Sequence, residues 1–539
     1  MKLKKRNENI TTLEEFIENN TNLTIDEFMN PPKNPFIKNL SELAAALETD
    51  IRNGEAIHIV GDYDCDGICS SAILYLLLTR FGAKADVRMP RRFSEGYGLS
   101  EKIIDEFEDG VVLTVDNGIA SHAAIEKAKA RGFKVYIIDH HLKTPEGYPD
   151  ADIIVDPNAL PGSEFNGYCG AGLALRLAET MAPHELMLNK KLCVLASVAT
   201  VADVVPLVND NRRIVIDGLK YINRGVMTTG MTMLTNKIDC DYFTEASYGF
   251  TLGPIMNAAG RLIDDGGVKV LSVIAQDRDH YEAGYMQWLD SMADALIETN
   301  KIRKSRAKEE EQLAVGLIEK NGFKNIIVIE DDYFSEGIVG ITAGKLCEKY
   351  GVPAIVLTKH EGVYKGSGRS TPQVHLKELL DQSGEYLTGY GGHAGAAGLS
   401  LNPADLEAFK ESIERNCPEP KVNDTVYYDF EISVEDIENW NNMLDKYAPY
   451  GEGHQSPVFL IRDFKLAEQE PEPIRLMGAG SEHIKLIGEK ADAIGFGLGF
   501  RAKTINTKDM ALVGALSVNV FNGRCRNQIE LIEIQYKGD

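Results

Sequence analysis

The stretch His58-Ile-Val-Gly-Asp62-Tyr-Asp64-Cys-Asp66-Gly67 runs from a β-branched segment into a turn of carboxylates. A segment of helical period, Ser70–Phe81, follows it. A strand ending in polar residues and leading into an amphipathic helix is the repeating unit of a parallel sheet. The unit recurs downstream. Apolar runs at Ile57–Val60, Val111–Val115, Val135–Ile138 and Ile153–Val155 alternate with helical segments such as Ser121–Ala130. They predict an α/β fold with a mostly parallel sheet covered by helices. The runs end at Asp62, Asp116, Asp139 and Asp156. In open α/β sheets, sites form beyond the carboxyl ends of the strands, so these acids are expected at one edge.

Asp62, Asp64 and Asp66 are spaced two apart, which places extended-chain side chains on one side. Carboxylates so close repel one another unless a cation neutralises them. The spacing also opens a calcium loop, but that loop needs Glu at its twelfth position, here Ile73, and a helix before it. The plain alternative has Asp66 capping the following helix and the other two as turn residues. Three further segments weigh against it. Thr114-Val-Asp116-Asn-Gly118 and Ile137-Ile-Asp139-His140-His141 each follow a strand. Asp203 closes the apolar run Val194–Ala202, where an unpaired carboxylate is costly. Mixed carboxylate and imidazole donors suit Mn²⁺ or Mg²⁺. There are enough for two ions, with Asp116 as a bridge, and paired ions favour displacement at phosphorus. The nearest approach to a phosphate-binding P-loop, Gly340-Ile-Thr-Ala-Gly344-Lys345-Leu346, has the wrong spacing.

Outward from this core, the 539-residue chain is long enough for several domains. We expect a polar, helical segment at 1–45, a catalytic domain at 46–278 and a long bridging helix at 279–320. A smaller α/β domain is expected at 321–423 and a small β-barrel, most simply an OB-fold, at 424–539. Lys and Arg number 57 against 81 Asp and Glu, a net charge of −24, so a general nucleic-acid coat is excluded but a local basic groove is not. Eight scattered cysteines without a CxxC pair indicate reduced thiols. The basic N-terminus lacks an apolar signal core, and the longest apolar stretch, Ala72–Leu78, cannot span a bilayer. The expectation is a soluble, cytoplasmic protein with no membrane partner.

Three glycine-bearing segments read as loops that offer a cation to a ligand: Asn257-Ala-Ala-Gly260-Arg261, Gly366-Ser-Gly-Arg369 and Gly391-Gly-His393. Asn257, Arg261, Arg369 and His393 are the candidate substrate contacts.

The motifs DYDCDG, TVDNG, DHH and ATVADVVP, in this order, resemble those of the DHH phosphoesterase superfamily. Nearly the whole chain is similar to its RecJ branch, the single-strand-specific 5′→3′ DNA exonucleases. The supporting stretches include Gly253-PIMNAAG-Arg261, Tyr390-GGHAGAAG-Leu399 and Ala448-PYGEGHQSPVF-Leu460. The resemblance implies that Asp62, Asp64, Asp116, His140 and Asp203 ligate two metal ions, with His141 close to the scissile phosphate. Asp66 would support them or cap the helix, and His58 is either a ligand or a buried strand residue. The second lobe resembles DHHA1, the superfamily's substrate-binding domain. Two departures stand out: RecJ relatives usually carry Arg at Ile255 and often His near Ser335. Tyr450, Phe459, Phe521 and Arg524 are the candidates for gripping a strand on the OB-like domain. The implied activity is two-metal hydrolysis of single-stranded DNA to nucleoside 5′-monophosphates in recombination and repair. A single-strand-binding protein or a helicase would be the expected protein partner. Two rivals fit less well. Phosphodiesterases of oligoribonucleotides or cyclic dinucleotides usually end before an OB-like tail, and a non-catalytic relative would have lost motif acids that are all present here.

Overall fold

The computed structural model describes residues 2–278, 281–420, 425–478, 480–505, 509–521 and 524–536. The chain divides into two compact units. One comprises residues 36–203 and 217–421, the other residues 1–35, 204–216 and 422–539.

The first unit opens with a five-stranded, fully parallel sheet in the order Lys84–Arg88, Ala56–Val60, Val111–Val115, Lys134–Ile138, Ile153–Val155. All four predicted runs are strands. Lys84–Arg88 was not foreseen because it is an edge strand of alternating, partly exposed residues without an apolar run. The Cys65–Arg80 helix is almost wholly buried, packed against the helices Gly170–Met181 and Leu186–Ala202. Its tight start is possible because residue 67 is glycine: a Cβ there would lie 2.6 Å from the Asp62 backbone nitrogen.

The long helix forms as predicted, over Ala283–Asn321, about 58 Å at 1.5 Å per residue. It leads to a second five-stranded sheet, ordered Gly389–Gly392, Ala396–Leu401, Val363–Arg369, Ala354–His360, Ile327–Glu330. Only the last pair is parallel. Ala314, Ile318, Leu346 and Val356 pack on one face of this sheet, and Leu376, Phe409 and Ile413 on the other.

Two of the three glycine-bearing segments are not the loops expected from sequence, while the third leads into a hairpin turn at His393. Asn257–Arg261 lies inside the Gly253–Leu262 helix, Gly366–Arg369 ends a strand, and Gly389–Gly392 is an edge strand. In the first two segments the glycines serve packing instead of turning. A Cβ on Gly260 would stand 2.7 Å from the Tyr63 carbonyl oxygen, and one on Gly366 would stand 2.5 Å from that of Val356.

The second unit holds a seven-stranded mixed sheet. Its order is Phe430–Ser433, Val458–Lys465, Asp509–Phe521, Arg524–Tyr536, Asp492–Gly495, His483–Ile487, Ile474–Met477. The helix Ile437–Tyr447 lies between its first two strands in sequence, as the OB-fold reading expects. The N-terminal segment contributes more than helices. Lys2–Lys5 is a strand paired in parallel with Thr425–Tyr428, and Phe16, Ile17 and Phe28 enter the barrel core beside Phe430, Phe459 and Phe464. Arg212 is fully buried there, donating to the Ala448 and Pro449 carbonyls with its guanidinium 4.2 Å from the Phe28 ring centre.

This packing corrects two expected strand-gripping residues. Phe459 is completely buried, and Tyr450 stacks on His454 at 4.6 Å while donating to the Leu444 carbonyl. Phe459 is core and Tyr450 packs, partly buried, against it, because the apolar faces of the helix and sheet meet there. The side chains of Phe521 and Arg524 lie outside the described residues. All eight cysteines are free thiols. Among the described residues, no helix is long and apolar enough to cross a membrane.

Candidate active site

The three central strands of the parallel sheet deliver their acids to the same edge. The turn after Ala56–Val60 carries Asp62 and Asp64, Val111–Val115 ends at Asp116, and Lys134–Ile138 ends at Asp139-His140-His141. Asp203 terminates the Leu186–Ala202 helix. Three overlapping sets bring one donor atom from each member within 4.8 Å of the others: Asp62, Asp64 and Asp116; Asp66, His140 and Asp203; Asp116, His140 and His141. His140 Nε2 stands 3.1 Å from Asp116, 3.7 Å from Asp66 and 3.8 Å from Asp203. Asp116 therefore adjoins both halves of the cluster.

The local backbone explains this convergence. Asp116 adopts φ = 60°, a left-handed conformation that costs a non-glycine residue about 1–2 kcal/mol. Its N–H donates to the Ile138 carbonyl, while the Asn117 side chain donates to the carbonyls of Val60 and Val115. The roles of Asp64 and Asp66 differ from the plain sequence reading. Asp64 is the helix cap, accepting from the N–H groups of Asp66 and Gly67 at 3.0 Å. Asp66 is buried in the first turn and accepts from Gly170 and Ala171, the first amides of a neighbouring helix, at 2.6 and 2.8 Å. A carboxylate at a helix N-terminus meets both free amides and the positive end of the dipole.

The donor set fits divalent cations. Asp62 Oδ1 is buried without a hydrogen-bond partner. Burial, followed by repulsion from the neighbouring carboxylates, pushes Asp62, Asp64 and Asp116 above the usual carboxylate range, and Asp203 up to about 8. Such a cluster needs positive charge, and its oxygen-rich donors with one or two imidazoles suit Mn²⁺ or Mg²⁺. Burial pulls His140 below the usual imidazole range, which favours its neutral form. His141 behaves differently. Burial is the largest single influence and opposes its charge, but the 2.7 Å bond to Asp139 Oδ1 together with the charges of Asp139, Asp203 and Asp66 outweighs it, and the ring rises to about 9. Buried Asp139 also accepts from the amides of Ile119 and His140, so it fixes the whole DHH turn.

Four arginines gather next to the acids. Arg261 is pushed down to about 10 by burial and then by Arg92, with Arg303 and Arg369 adding to the repulsion. Its Nη1 reaches only the Gly337 carbonyl, at 3.4 Å. Arg92 also lies over the Tyr63 ring at 4.9 Å, and Arg369 donates to Ser367 Oγ and the Gly368 carbonyl at 2.9 Å. Like charges held this close await an anion. Sequence reasoning found Arg261 and Arg369. It missed Arg92 in the irregular Pro90-Arg-Arg-Phe segment and Arg303 on the long helix, where a charge reads as solvated surface.

Asn257 is tied to the metal turn, its Oδ1 accepting from the Cys65 N–H at 2.8 Å. His393 is exposed at a hairpin tip, its Nδ1 accepting from the Gly395 N–H. His58 is no ligand here. Its ring nitrogens reach Asp86 at 2.7 Å and the Asp109 carbonyl at 3.0 Å, and the ring stacks on Phe107. Ile255 is buried in its helix, and Ser335 accepts from Arg306 at 3.1 Å.

Comparison with known proteins places these features in a family. The N-terminal domain of the DHH family matches residues 56–200, the DHHA1 domain residues 323–419 and the RecJ OB domain residues 428–533. The single-stranded-DNA-specific exonuclease RecJ of Salmonella typhimurium is 30% identical over 531 residues, covering 90% of this chain and 89% of that protein. The Bacillus subtilis RecJ is 31% identical over 92% of this chain, which spans only 63% of that longer relative. The crystal structure of Thermus thermophilus RecJ in complex with Mn²⁺ superimposes with a TM-score of 0.79 at 26% identity, covering 97% of this chain and 76% of that one. A second RecJ structure bound to manganese matches at 30% identity with a TM-score of 0.61, covering 72% and 98%. With the three domains in order along one chain and this identity over nearly the full length of a relative, the chain belongs to the RecJ family.

Proposed function

We propose that this chain is a metal-dependent exonuclease that degrades single-stranded DNA from the 5′ end to nucleoside 5′-monophosphates, in recombination and repair. One observation carries the reading: three overlapping sets of carboxylate and imidazole donors, two of them sharing Asp116, line the sheet edge, and a cluster of half-buried arginines stands beside them. Asp62, Asp64 and Asp116 would hold one ion, and Asp116, His140 and Asp203 another, with Asp66 behind them. Bound there, Mn²⁺ or Mg²⁺ supplies charge neutralisation and water activation for in-line displacement at phosphorus.

The chain's own residues do the rest. Arg261 and Arg369, with Arg92 and Arg303, bind phosphate oxygens and so fix which phosphodiester bond meets the acids. Asp139 holds His141 by Nδ1, leaving Nε2 to donate to a phosphate or departing oxygen. A helicase or single-strand-binding protein is the kind of partner that exposes or presents such a strand. Eight free thiols fit the reducing cytoplasm.

End-labelled strands test the reading. With Mn²⁺ or Mg²⁺, a 5′-labelled single strand should release labelled mononucleotide at once, and a 3′-labelled one only late. Duplexes and reactions with EDTA should stay intact. Early release from the 3′ end, or cleavage in EDTA, would overturn it.

A further inference from the structure

We infer that Tyr97 is a positioning residue that couples the shared acid Asp116 to His141; this rests on reading the cluster as a metal centre. Tyr97 sits in the irregular segment between the strand Lys84–Arg88 and the helix Glu101–Asp105. Its phenolic oxygen donates to the Asp116 backbone carbonyl at 2.9 Å and lies 3.5 Å from His141 Nε2. The ring stands edge-on to both His141 and Tyr63, at 6.1 and 6.5 Å between centres. One hydroxyl therefore spans two groups that the proposed chemistry needs aligned.

The segment is built to hold that hydroxyl still. Gly96 and Gly98 flank the tyrosine in left-handed conformations, φ = 89° and 66°, and a Cβ on Gly98 would crowd Asn117 at 3.2 Å. Asp264 accepts from the amides of Phe93 and Ser94 and from Ser94 Oγ. Glu95 pairs with Arg88 at 2.8 Å and accepts from the Arg91 amide. The Leu99 amide donates to Asn117 Oδ1, next in sequence to Asp116. A tyrosine anchored on both sides, yet 53% exposed, is not there to fill a core. Its hydroxyl bonds the carbonyl of the acid that sits in a left-handed conformation and belongs to two of the three donor sets. That bond holds the Asp116 turn, and the neighbouring imidazole is steered by the same oxygen.

Tyr97→Phe removes the oxygen and keeps the ring. Outer groups that orient ligands typically change metal affinity or activity 10–100-fold. We expect Mn²⁺ binding, read from the electron paramagnetic resonance of free Mn²⁺, to weaken about 10-fold, and kcat on a labelled single strand to fall about 10-fold. KM should change less than about twofold and the thermal midpoint should stay put, the pattern of a lost alignment and not of lost substrate binding. Wild-type Mn²⁺ affinity and kcat in the variant would overturn the inference. So would a change confined to KM, which would make Tyr97 a strand contact, or a lowered thermal midpoint accounting for the loss. If the unaltered protein binds Mn²⁺ but cleaves no strand, the functional reading fails while the Mn²⁺ titration still decides the role of Tyr97.

Discussion

At the scale of single residues, the site trades stability for chemistry. Asp62 keeps a buried oxygen without a partner, and its carboxyl is pushed upward by burial and by Asp64. Its charged form therefore opposes folding of the metal-free protein. Asp62→Asn should raise the thermal midpoint in EDTA by roughly 2–4 °C, the effect of about 1 kcal/mol in a domain of this size. With Mn²⁺ present the order should invert, because only the wild type binds the ion well. The same variant should lose nuclease activity by about 1,000-fold or more, as expected when several kcal/mol of metal-borne stabilisation disappear. Calorimetry with and without metal, alongside a cleavage assay, checks all three. A midpoint that falls in EDTA would mean that the carboxylate is better satisfied than its surroundings indicate.

At the scale of elements, the long helix joins the second sheet through a buried charge. Glu310 has no exposed surface, accepts from the Ser335 amide at 2.9 Å and from Arg306 Nε at 3.2 Å, and lies within 3.4 Å of the Thr342 hydroxyl. Glu310→Ala would take the acceptor from the Ser335 amide and leave Arg306 only Ser335 Oγ and the Tyr333 carbonyl, and should destabilise by about 2–3 kcal/mol. Glu310→Gln keeps an acceptor and should cost about 1–2 kcal/mol. Denaturant midpoints of the two variants measure the difference, and near-equal values would mean that the ionic partner contributes little. At this scale the sequence was largely legible. Short continuous apolar runs marked the strands, and a long stretch free of proline marked the bridging helix. The polar edge strand Lys84–Arg88 was missed because its partners lie on one side only, which leaves no buried face to write an apolar pattern.

At the scale of the molecule, the C-terminal unit is not a contiguous appendage. Phe16 and Phe28 from the N-terminus share its core, and buried Arg212 is held by the Ala448 and Pro449 carbonyls. Deleting residues 425–539 should therefore unfold the first 35 residues and remove the Ala448 and Pro449 carbonyls that accept from Arg212. Aggregation and loss of helical circular dichroism are expected, in place of a smaller enzyme with a weaker grip. A soluble truncation with native helicity would contradict this. The same core carries a pH dependence. His454 is pushed down to about 4 by burial and by Arg212, while its Nε2 bonds the Tyr447 carbonyl. A depressed folded value means that the unfolded chain takes up a proton first as pH falls. Stability contributed by neutral His454 is intact above pH 6.5 and declines towards pH 4, by about 3 kcal/mol in all. Urea midpoints at pH 7.5 and 4.5 should separate more in the wild type than in His454→Gln.

The sequence by itself determined the parallel sheet, the order of domains and the motif acids that line its edge. Those features are written in local pattern: apolar period, turn acids after strands, and an adjacent Asp-His-His. Only the tertiary structure decided which acid caps a helix and which faces another helix's amides, separating Asp64 from Asp66. It also decided that the glycines of 257–261 and 366–369 serve close packing and not loops, and it brought Arg92 and Tyr97 to the centre from segments with no periodic signal, and Arg303 from a helix face that reads as solvated. The charge of −24 is likewise only a sum. Where its few unneutralised arginines sit depends on contacts between residues hundreds of positions apart, and no local pattern encodes such distances.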